Sequence, residues 1–248
     1  MVPCNTLIMT TLLGIKTNSG IEGIVIATDK QVSHWNEGVF TKKTTINKIF
    51  HGNNYIIANT GAIGDNPFAI LEQTQKEELV QLVEEAVKKY RLDPSSEYPH
   101  FEKINHINTL LYREHEDEDY LHTLLMATNT NEKLELWEVD HFGSLKTPQK
   151  KKKIEYHVLG SGKKYVKKYI KRLLEKGAIN QAEITIHTAI DIAIAAIQEA
   201  QKDPHTSGLD LAVLTNNGAT YYGDLIKEIV EKQKKEIINS IKKDYRKV

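Results

Sequence analysis

The chain has 248 residues, enough for one large domain with a substantial buried core. Its 33 basic and 33 acidic residues balance, so the whole-protein charge indicates neither a nucleic-acid surface nor a membrane patch. A single cysteine, Cys4, excludes an intramolecular disulfide framework, and no apolar run is long enough to span a bilayer. Residues 1–9 lack the features of a secretory signal, and we therefore expect a cytoplasmic protein.

The first half of the chain is predicted to begin with strands and continue with helices. Runs rich in isoleucine and valine, punctuated by glycine, asparagine and aspartate, predict strands over residues 10–16, 23–29, 39–50 and 55–59. Apolar residues then recur at helical spacing over residues 65–90 and 104–111. An acidic run over residues 114–119 lacks the glycine and alternation of a calcium loop, which favours plain solvation.

The second half of the chain returns to strands and ends in helices. Strands are predicted over residues 122–129, 133–140 and 154–159, and helices over 163–175, 183–202 and 224–245. A strand pair over residues 209–214 and 219–222, joined by an Asn-Asn-Gly turn, lies between the last two helices. This order of elements fits an α+β fold in one domain, in which two antiparallel sheets lie between helix layers.

Two motifs that suggest other functions are incomplete. The run Gly160-Ser161-Gly162-Lys163 imitates the end of a phosphate-binding loop, but the pattern requires glycine where His157 stands and serine or threonine where Lys164 stands. The histidines are scattered, without the spacing of metal ligands. We therefore expect neither a metal nor a cofactor.

Several short motifs occur in a fixed order along the chain. The first four are Thr10-Thr11, Ala27-Thr28-Asp29, Lys48-Ile49-Phe50 and Gly61-Ala62-Ile63-Gly64-Asp65. Further along stand Gly160-Ser161-Gly162, Asp203 with Ser207-Gly208, and Leu211-Ala212-Val213-Leu214. Each motif is unspecific, but the collinear set resembles the proteasome-type N-terminal-nucleophile hydrolases, including the β-type core-particle subunits and their bacterial two-ring relatives. The resemblance runs from Thr10 to about Tyr222 and implies a four-layer αββα sandwich.

The resemblance also implies a catalytic site. Thr10 would be the nucleophile, and its own α-amine, once freed by processing, would be the base. Lys48 would place a positive charge beside Thr10, and Asp29 would orient Lys48. The Gly61 backbone N–H would face the oxyanion. The supporting shell would comprise Ser161, Asp203 and Ser207.

Substrate contacts follow from the same resemblance. Ser33 would hydrogen-bond the substrate backbone. The specificity pocket would be lined by Val32, Ile46, Asn59 and Ile63. These residues are neutral, which favours small or apolar side chains before the scissile bond.

The chain departs from the family pattern at two places that bear on the site. Met9 precedes Thr10, where the family usually has a glycine. Either synthesis starts at Met9, or residues 1–9 form a short propeptide or N-terminal extension that the protein removes from itself. The remaining domain, 10–248, would end in a long helix. In addition, one extra residue separates Asp203 from Ser207.

Each proposed site residue also has a purely structural interpretation. The threonines at 10 and 11 are good strand residues, the acid at 29 and lysine at 48 could form a structural ion pair, and the glycine at 61 could form a tight turn. Ser161 could cap a helix, and Asp203 could stabilise a turn before Pro204.

Three functions are compatible with these residues. The first is a threonine-type endopeptidase subunit, processed autocatalytically and assembled with copies of itself or related subunits into a ring. Because an exposed peptidase would damage a cell, an ATPase unfoldase is expected to feed polypeptide substrates into the enclosed chamber. The alternatives are a catalytically silent scaffold subunit and a narrower N-terminal-nucleophile amidase or transpeptidase.

Overall fold

The computed structural model describes residues 6–7, 10–36, 39–45, 47–61, 122–130, 133–139, 145–146, 149–151, 154–177 and 183–223. The strands before the large gap are β1 (Thr6–Leu7), β2 (Thr11–Lys16), β3 (Gly23–Thr28), β4 (Gln31–Asn36), β5 (Val39–Thr45), β6 (Ile49–His51) and β7 (Tyr55–Gly61). Those after it are β8 (His122–Thr130), β9 (Lys133–Val139), β10 (Leu145–Lys146), β11 (Gln149–Lys151), β12 (Ile154–Gly160), β13 (Asp210–Thr215) and β14 (Gly218–Tyr221). The described helices are α1 (Lys163–Glu175) and α2 (Ile186–Ala200).

These strands form three antiparallel sheets. The largest has the order β11-β12-β2-β3-β13-β14, and the second has the order β10-β9-β8-β7-β6. A small third sheet has the order β1-β4-β5. The chain therefore crosses repeatedly between sheets, which brings the start of β2, the end of β3 and the segment before β6 close together.

Two apolar clusters hold the layers together. One lies between the six-stranded sheet and the helices, and it includes Val25, Val166, Ile170 and Ile197. The other lies between the two large sheets, where Ile26, Leu125 and Leu136 meet. Burial of apolar surface on both faces of the six-stranded sheet is the main stabilising contribution.

The predicted fold class, an α+β sandwich built on stacked antiparallel sheets, is confirmed. Helix α1 occupies the predicted range, whereas α2 begins later than predicted because Thr185 caps it, accepting a bond from the Thr188 backbone N–H. The single strand predicted over residues 39–50 is two strands with Lys48 between them. Strands β1, β4, β10 and β11 were not predicted from the sequence, and most of them are short.

The helices predicted over residues 65–90, 104–111 and 224–245 lie outside the described residues, so the single domain over 10–248 stays a prediction. Within the described ranges, neither helix combines the length and apolar character needed to cross a bilayer.

Candidate active site

Thr10 lies immediately before β2, in the interior of the protein. Its side chain is fully buried, and its Oγ1 has no hydrogen-bond partner among the residues that the structure describes. Its carbonyl oxygen accepts a bond from the Ser161 backbone N–H at 3.0 Å and a longer one from the Thr60 hydroxyl at 3.5 Å. The Thr10 carbonyl is thus bound by residues at the ends of β12 and β7, while its hydroxyl makes no hydrogen bond to the described residues.

Two glycines allow the loop before α1 to approach this strand closely. Gly160 has a φ of +88°, and a Cβ there would stand 1.5 Å from the Thr10 carbonyl oxygen. At Gly162 a Cβ would stand 2.3 Å from Thr11 Oγ1, and the Gly162 backbone N–H donates to that hydroxyl at 3.1 Å. The run that imitates a phosphate loop therefore packs its backbone closely against the Thr10 carbonyl and the Thr11 hydroxyl.

Asp29 lies just after β3 and its carboxylate links three parts of the site. Oδ1 accepts from the Thr11 backbone N–H at 2.7 Å, and Oδ2 accepts from the Gln31 backbone N–H at 2.9 Å. Oδ2 also accepts from Lys48 Nζ at 3.2 Å. The same ammonium donates to the Gln31 carbonyl at 2.5 Å. The carboxylate therefore connects the residue after Thr10 to the lysine.

Burial opposes the charges of this pair. Both side chains are fully buried. Burial raises the pKa of Asp29, although the Lys48 charge and the bond from Thr11 lower it. Burial likewise lowers the pKa of Lys48, and the Asp29 charge raises it. The attraction between the two charges is therefore the largest contribution that opposes the cost of burial.

The segment from Asp203 to Gly208 closes the other side of the site. Asp203 Oδ1 accepts from the His205 backbone N–H at 3.0 Å, and its carbonyl accepts from the Thr206 backbone N–H at 3.0 Å. These bonds are those of a turn. The buried Thr206 hydroxyl lies 3.1 Å from Thr11 Oγ1, whereas Ser207 is half-buried and its carbonyl accepts from the Lys30 backbone N–H.

The structure brings three of the predicted catalytic residues into one cluster: Thr10, Asp29 and Lys48. Ser161 reaches it through its backbone, and its predicted alternative as a helix cap is wrong because α1 is capped at Gly162 without a side-chain bond. Asp203 accepts the backbone bond of a turn from His205. Gly61 is the last residue of β7, opposite His122. The roles of these residues stay predictions.

The predicted substrate residues are less completely described. Val32 and Ser33 lie in β4, whereas Ile46 and Ile63 fall outside the described residues. Asn59 lies in β7, where its backbone N–H donates to the Lys48 carbonyl at 3.4 Å. Its amide atoms are buried without a hydrogen-bond partner among the described residues. Because strand residues alternate, Asn59 faces away from the side on which Thr60 contacts Thr10.

Part of the leading segment pairs with the strand that carries Ser33. Leu7 lies opposite Ser33 and Thr6 lies opposite His34, so β1 adds an antiparallel strand to β4. This is the backbone that the resemblance predicts to bind substrate. Residues 6–7 therefore form an extended segment where an extended polypeptide substrate is expected.

Three residues that contact the site were not predicted from the sequence. Gln31 supplies the carbonyl for Lys48, and its side chain donates to the Pro204 carbonyl at 3.1 Å. Thr60 contacts the Thr10 carbonyl. Thr206 could have been found from the sequence, because the extra residue between Asp203 and Ser207 places a second hydroxyl residue directly before the serine. The backbone contact of Gln31 could not, because it does not depend on the identity of the side chain.

No group of three or more possible metal ligands occurs in the part of the chain that the structure describes. The cluster around Thr10 contains one carboxylate, one ammonium and several hydroxyl and backbone donors, which suit proton transfer and acyl transfer.

Comparison with known proteins gives a consistent result. The family model described as "Proteasome subunit" matches residues 9–215. The chain is similar to proteasome subunit beta 1 of Pyrobaculum calidifontis, with 24% identity over 215 residues that cover 84% of this chain and 92% of the relative. It is also similar to proteasome subunit beta 1 of Pyrobaculum arsenaticum, with 24% identity over 236 residues that cover 94% and 100%.

Proposed function

Because the chain belongs to the proteasome subunit family, we propose that it is a β-type subunit whose mature form hydrolyses peptide bonds with Thr10 as the N-terminal nucleophile. The observation that carries this proposal is the buried Asp29–Lys48 pair, joined to the Thr11 backbone directly after the threonine. A threonine hydroxyl is a weak nucleophile on its own and needs a base and a nearby positive charge to activate it.

The proposed reaction begins with the free α-amine of Thr10. The amine takes the hydroxyl proton as Oγ1 attacks the carbonyl carbon of the scissile peptide bond. The charge of Lys48 keeps the amine neutral and favours the developing alkoxide. The amine then gives the proton to the leaving nitrogen, and water hydrolyses the resulting ester through the same base. The Gly61 backbone N–H would stabilise the oxyanion, a contribution of about 3 kcal/mol for one donor.

The hydroxyl in the supporting shell is assigned to Thr206. Its Oγ1 lies against Thr11 Oγ1 in the interior, whereas Ser207 accepts a bond from the Lys30 backbone N–H through its carbonyl. Ser161 is assigned a backbone role, since its N–H binds the Thr10 carbonyl. Asp203 would shape the turn that presents Thr206.

The pairing of β1 with β4 supports a polypeptide substrate. Addition of an extended strand to an exposed sheet edge is a common mode of peptide recognition, in which main-chain bonds give affinity. Residues 6–7 adopt this arrangement opposite Ser33 and His34. We infer that substrate takes the same edge after residues 1–9 have been removed, in a ring of copies or related subunits fed by an ATPase unfoldase.

A catalytically silent ring subunit is the second candidate. It is favoured by the full burial of Thr10, and by the engagement of Asp203 Oδ1 in its own turn. In such a subunit residues 1–9 would stay attached, and the Thr10 nitrogen would remain in a peptide bond.

Intact mass and active-site labelling distinguish these candidates. The purified protein is expected to have the mass of a chain beginning at Thr10 and to react with an epoxyketone or vinyl-sulfone probe. Thr10→Ala should abolish labelling, whereas Thr220→Ala, at an exposed position of β14, should leave it intact. A correctly assembled protein that retains residues 1–9 and takes up no probe would refute the peptidase and support the silent subunit.

A further inference from the structure

A second buried carboxylate lies near the site and has no part in the reaction proposed above. Asp210 is the first residue of β13, pairs with Thr28 of β3, and has a fully buried side chain. Its Oδ1 lies 3.2 Å from Lys30 Nζ and accepts from the Tyr221 hydroxyl at 2.7 Å. A charged group in this position is costly unless it is paired, so its contacts require an explanation.

Lys30, the ion-pair partner of Asp210, lies between the two residues that bind the Lys48 ammonium. Asp29, before Lys30, supplies the carboxylate, and Gln31, after it, supplies the carbonyl. The Lys30 side chain passes Gly208, where an added Cβ would stand 3.0 Å from Lys30 Cβ. Fixing the end of the Lys30 side chain therefore restrains the backbone that positions both acceptors of Lys48.

The second contact of Asp210 leads to the strand after Lys48. The Tyr221 ring stacks on His51, with ring centroids 5.6 Å apart and planes at 19°. His51 is the last residue of β6, which begins one residue after Lys48. Asp210 is therefore linked both to residues 29–31, which bind the Lys48 ammonium, and to the strand that follows Lys48.

The two ion pairs also balance in charge. Lys30 with Asp210 and Lys48 with Asp29 together sum to zero when all four are ionised. Burial lowers the pKa of Lys48, and the carboxylate of Asp210 is one of the charges that oppose this effect. His51, stacked on the ring of Tyr221, is a further titratable group in contact with this network.

We propose that Asp210 is a positioning residue for Lys48: its carboxylate, paired with Lys30, orients residues 29–31, and its negative charge favours the lysine ammonium. The inference rests on the proposed function for the purpose of that ammonium. Its ionisation is a separate property that can be measured without peptidase activity.

The test measures the titration of Lys48 in a Thr10→Ala background. The resonance in protein carrying ¹³C-labelled lysine is identified by its loss in Lys48→Met. Asp210→Asn should shift the titration to lower pH by about half to one unit, because a neighbouring negative charge is removed. Lys30→Met should shift it in the opposite direction, to higher pH, since a positive charge is removed. The double variant should titrate closer to the parent than Asp210→Asn does.

Opposite shifts of the Lys48 titration that offset each other in the double variant support the proposal. A pair that only stabilised the fold would lower stability in both single variants without moving the titration in opposite directions. Shifts of the same sign, or none, overturn it. If Asp210→Asn fails to fold, the sign of the Lys30→Met shift decides. In the active protein the alkaline limb of kcat/KM should move in the same directions. Failure of Thr10 to react with the probe would refute the peptidase and leave the titration result standing.

Discussion

Replacement of Lys48 by methionine should make the stability of the protein depend steeply on pH. Methionine retains the apolar stem and removes the ammonium that Asp29 binds at 3.2 Å. The carboxyl group then keeps two backbone donors, Thr11 and Gln31, but loses the charge that counteracts its burial. Its folded-state pKa, already raised above the ordinary value of 3.8, should rise further.

The magnitude follows from linkage between protonation and folding. An acid with a raised folded-state pKa costs no stability below its unfolded pKa, and costs about 1.4 kcal/mol per pH unit as the pH rises from the unfolded toward the folded pKa. Fully buried carboxyl groups shift by up to 3–5 units, so from pH 4 to 7 the Lys48→Met protein should lose about 4 kcal/mol. Removing one partner of a buried pair costs about 3–5 kcal/mol, which agrees.

The assay is unfolding in guanidinium chloride at several pH values and one protein concentration, since assembly would make stability depend on concentration. Lys171→Met is the matched control, because the Lys171 side chain is 71% exposed and its Nζ lies 3.6 Å from Glu175. We expect its free energy of unfolding to change by less than about 1 kcal/mol, with no added dependence on pH. Adding Asp29→Asn to Lys48→Met should abolish the added pH dependence of the free energy of unfolding, because no carboxyl group is left to titrate at this position. Parallel pH curves for Lys48→Met and the unmodified protein would refute the reasoning.

Two further predictions concern the backbone and the shell. Gly160→Ala should cost several kcal/mol of stability and slow probe labelling, because its Cβ would collide with the Thr10 carbonyl at a positive φ; thermal unfolding tests this. Thr206→Val should reduce kcat at least tenfold by removing the hydroxyl that contacts Thr11, while Ser207→Ala should retain most activity; steady-state peptide hydrolysis tests this, and the reverse order would contradict the assignment to Thr206.

The sequence predicted the part of the fold that depends on hydrophobic pattern. Strands β2 and β3 have almost continuous apolar runs, and α1 sets its lysines opposite Val166, Ile170 and Leu174, so each pattern matches one structure. Strand β4 was missed because its sequence, Gln31–Asn36, is largely polar and resembles a loop. The end of β5 before Lys48 was missed because the run of β-forming residues continues past it.

Within the candidate site, side chains could be predicted and backbone roles could not. Asp29 and Lys48 carry charges, and their motifs stand at recognisable places in the chain. Ser161 contributes its backbone N–H, and Gln31 contributes in part its backbone carbonyl. Every residue except proline has both of these groups, so the sequence does not mark them. Which amide or carbonyl faces the site depends on the approach of β12 to β2 and of residues 29–31 to Lys48, which is a tertiary property.

The energetics of the Asp29–Lys48 pair bear on the choice between a peptidase and a silent subunit. Burial raises the pKa of the acid and lowers that of the lysine, so both directions indicate that the ionised forms cost stability near neutral pH. Apolar residues of similar volume can replace such a pair at little cost or with a gain in stability. A subunit that only forms a ring therefore has no energetic need for the pair. A subunit that must hold a neutral amine beside a threonine hydroxyl does, because an ammonium next to Thr10 is what lowers the pKa of that amine.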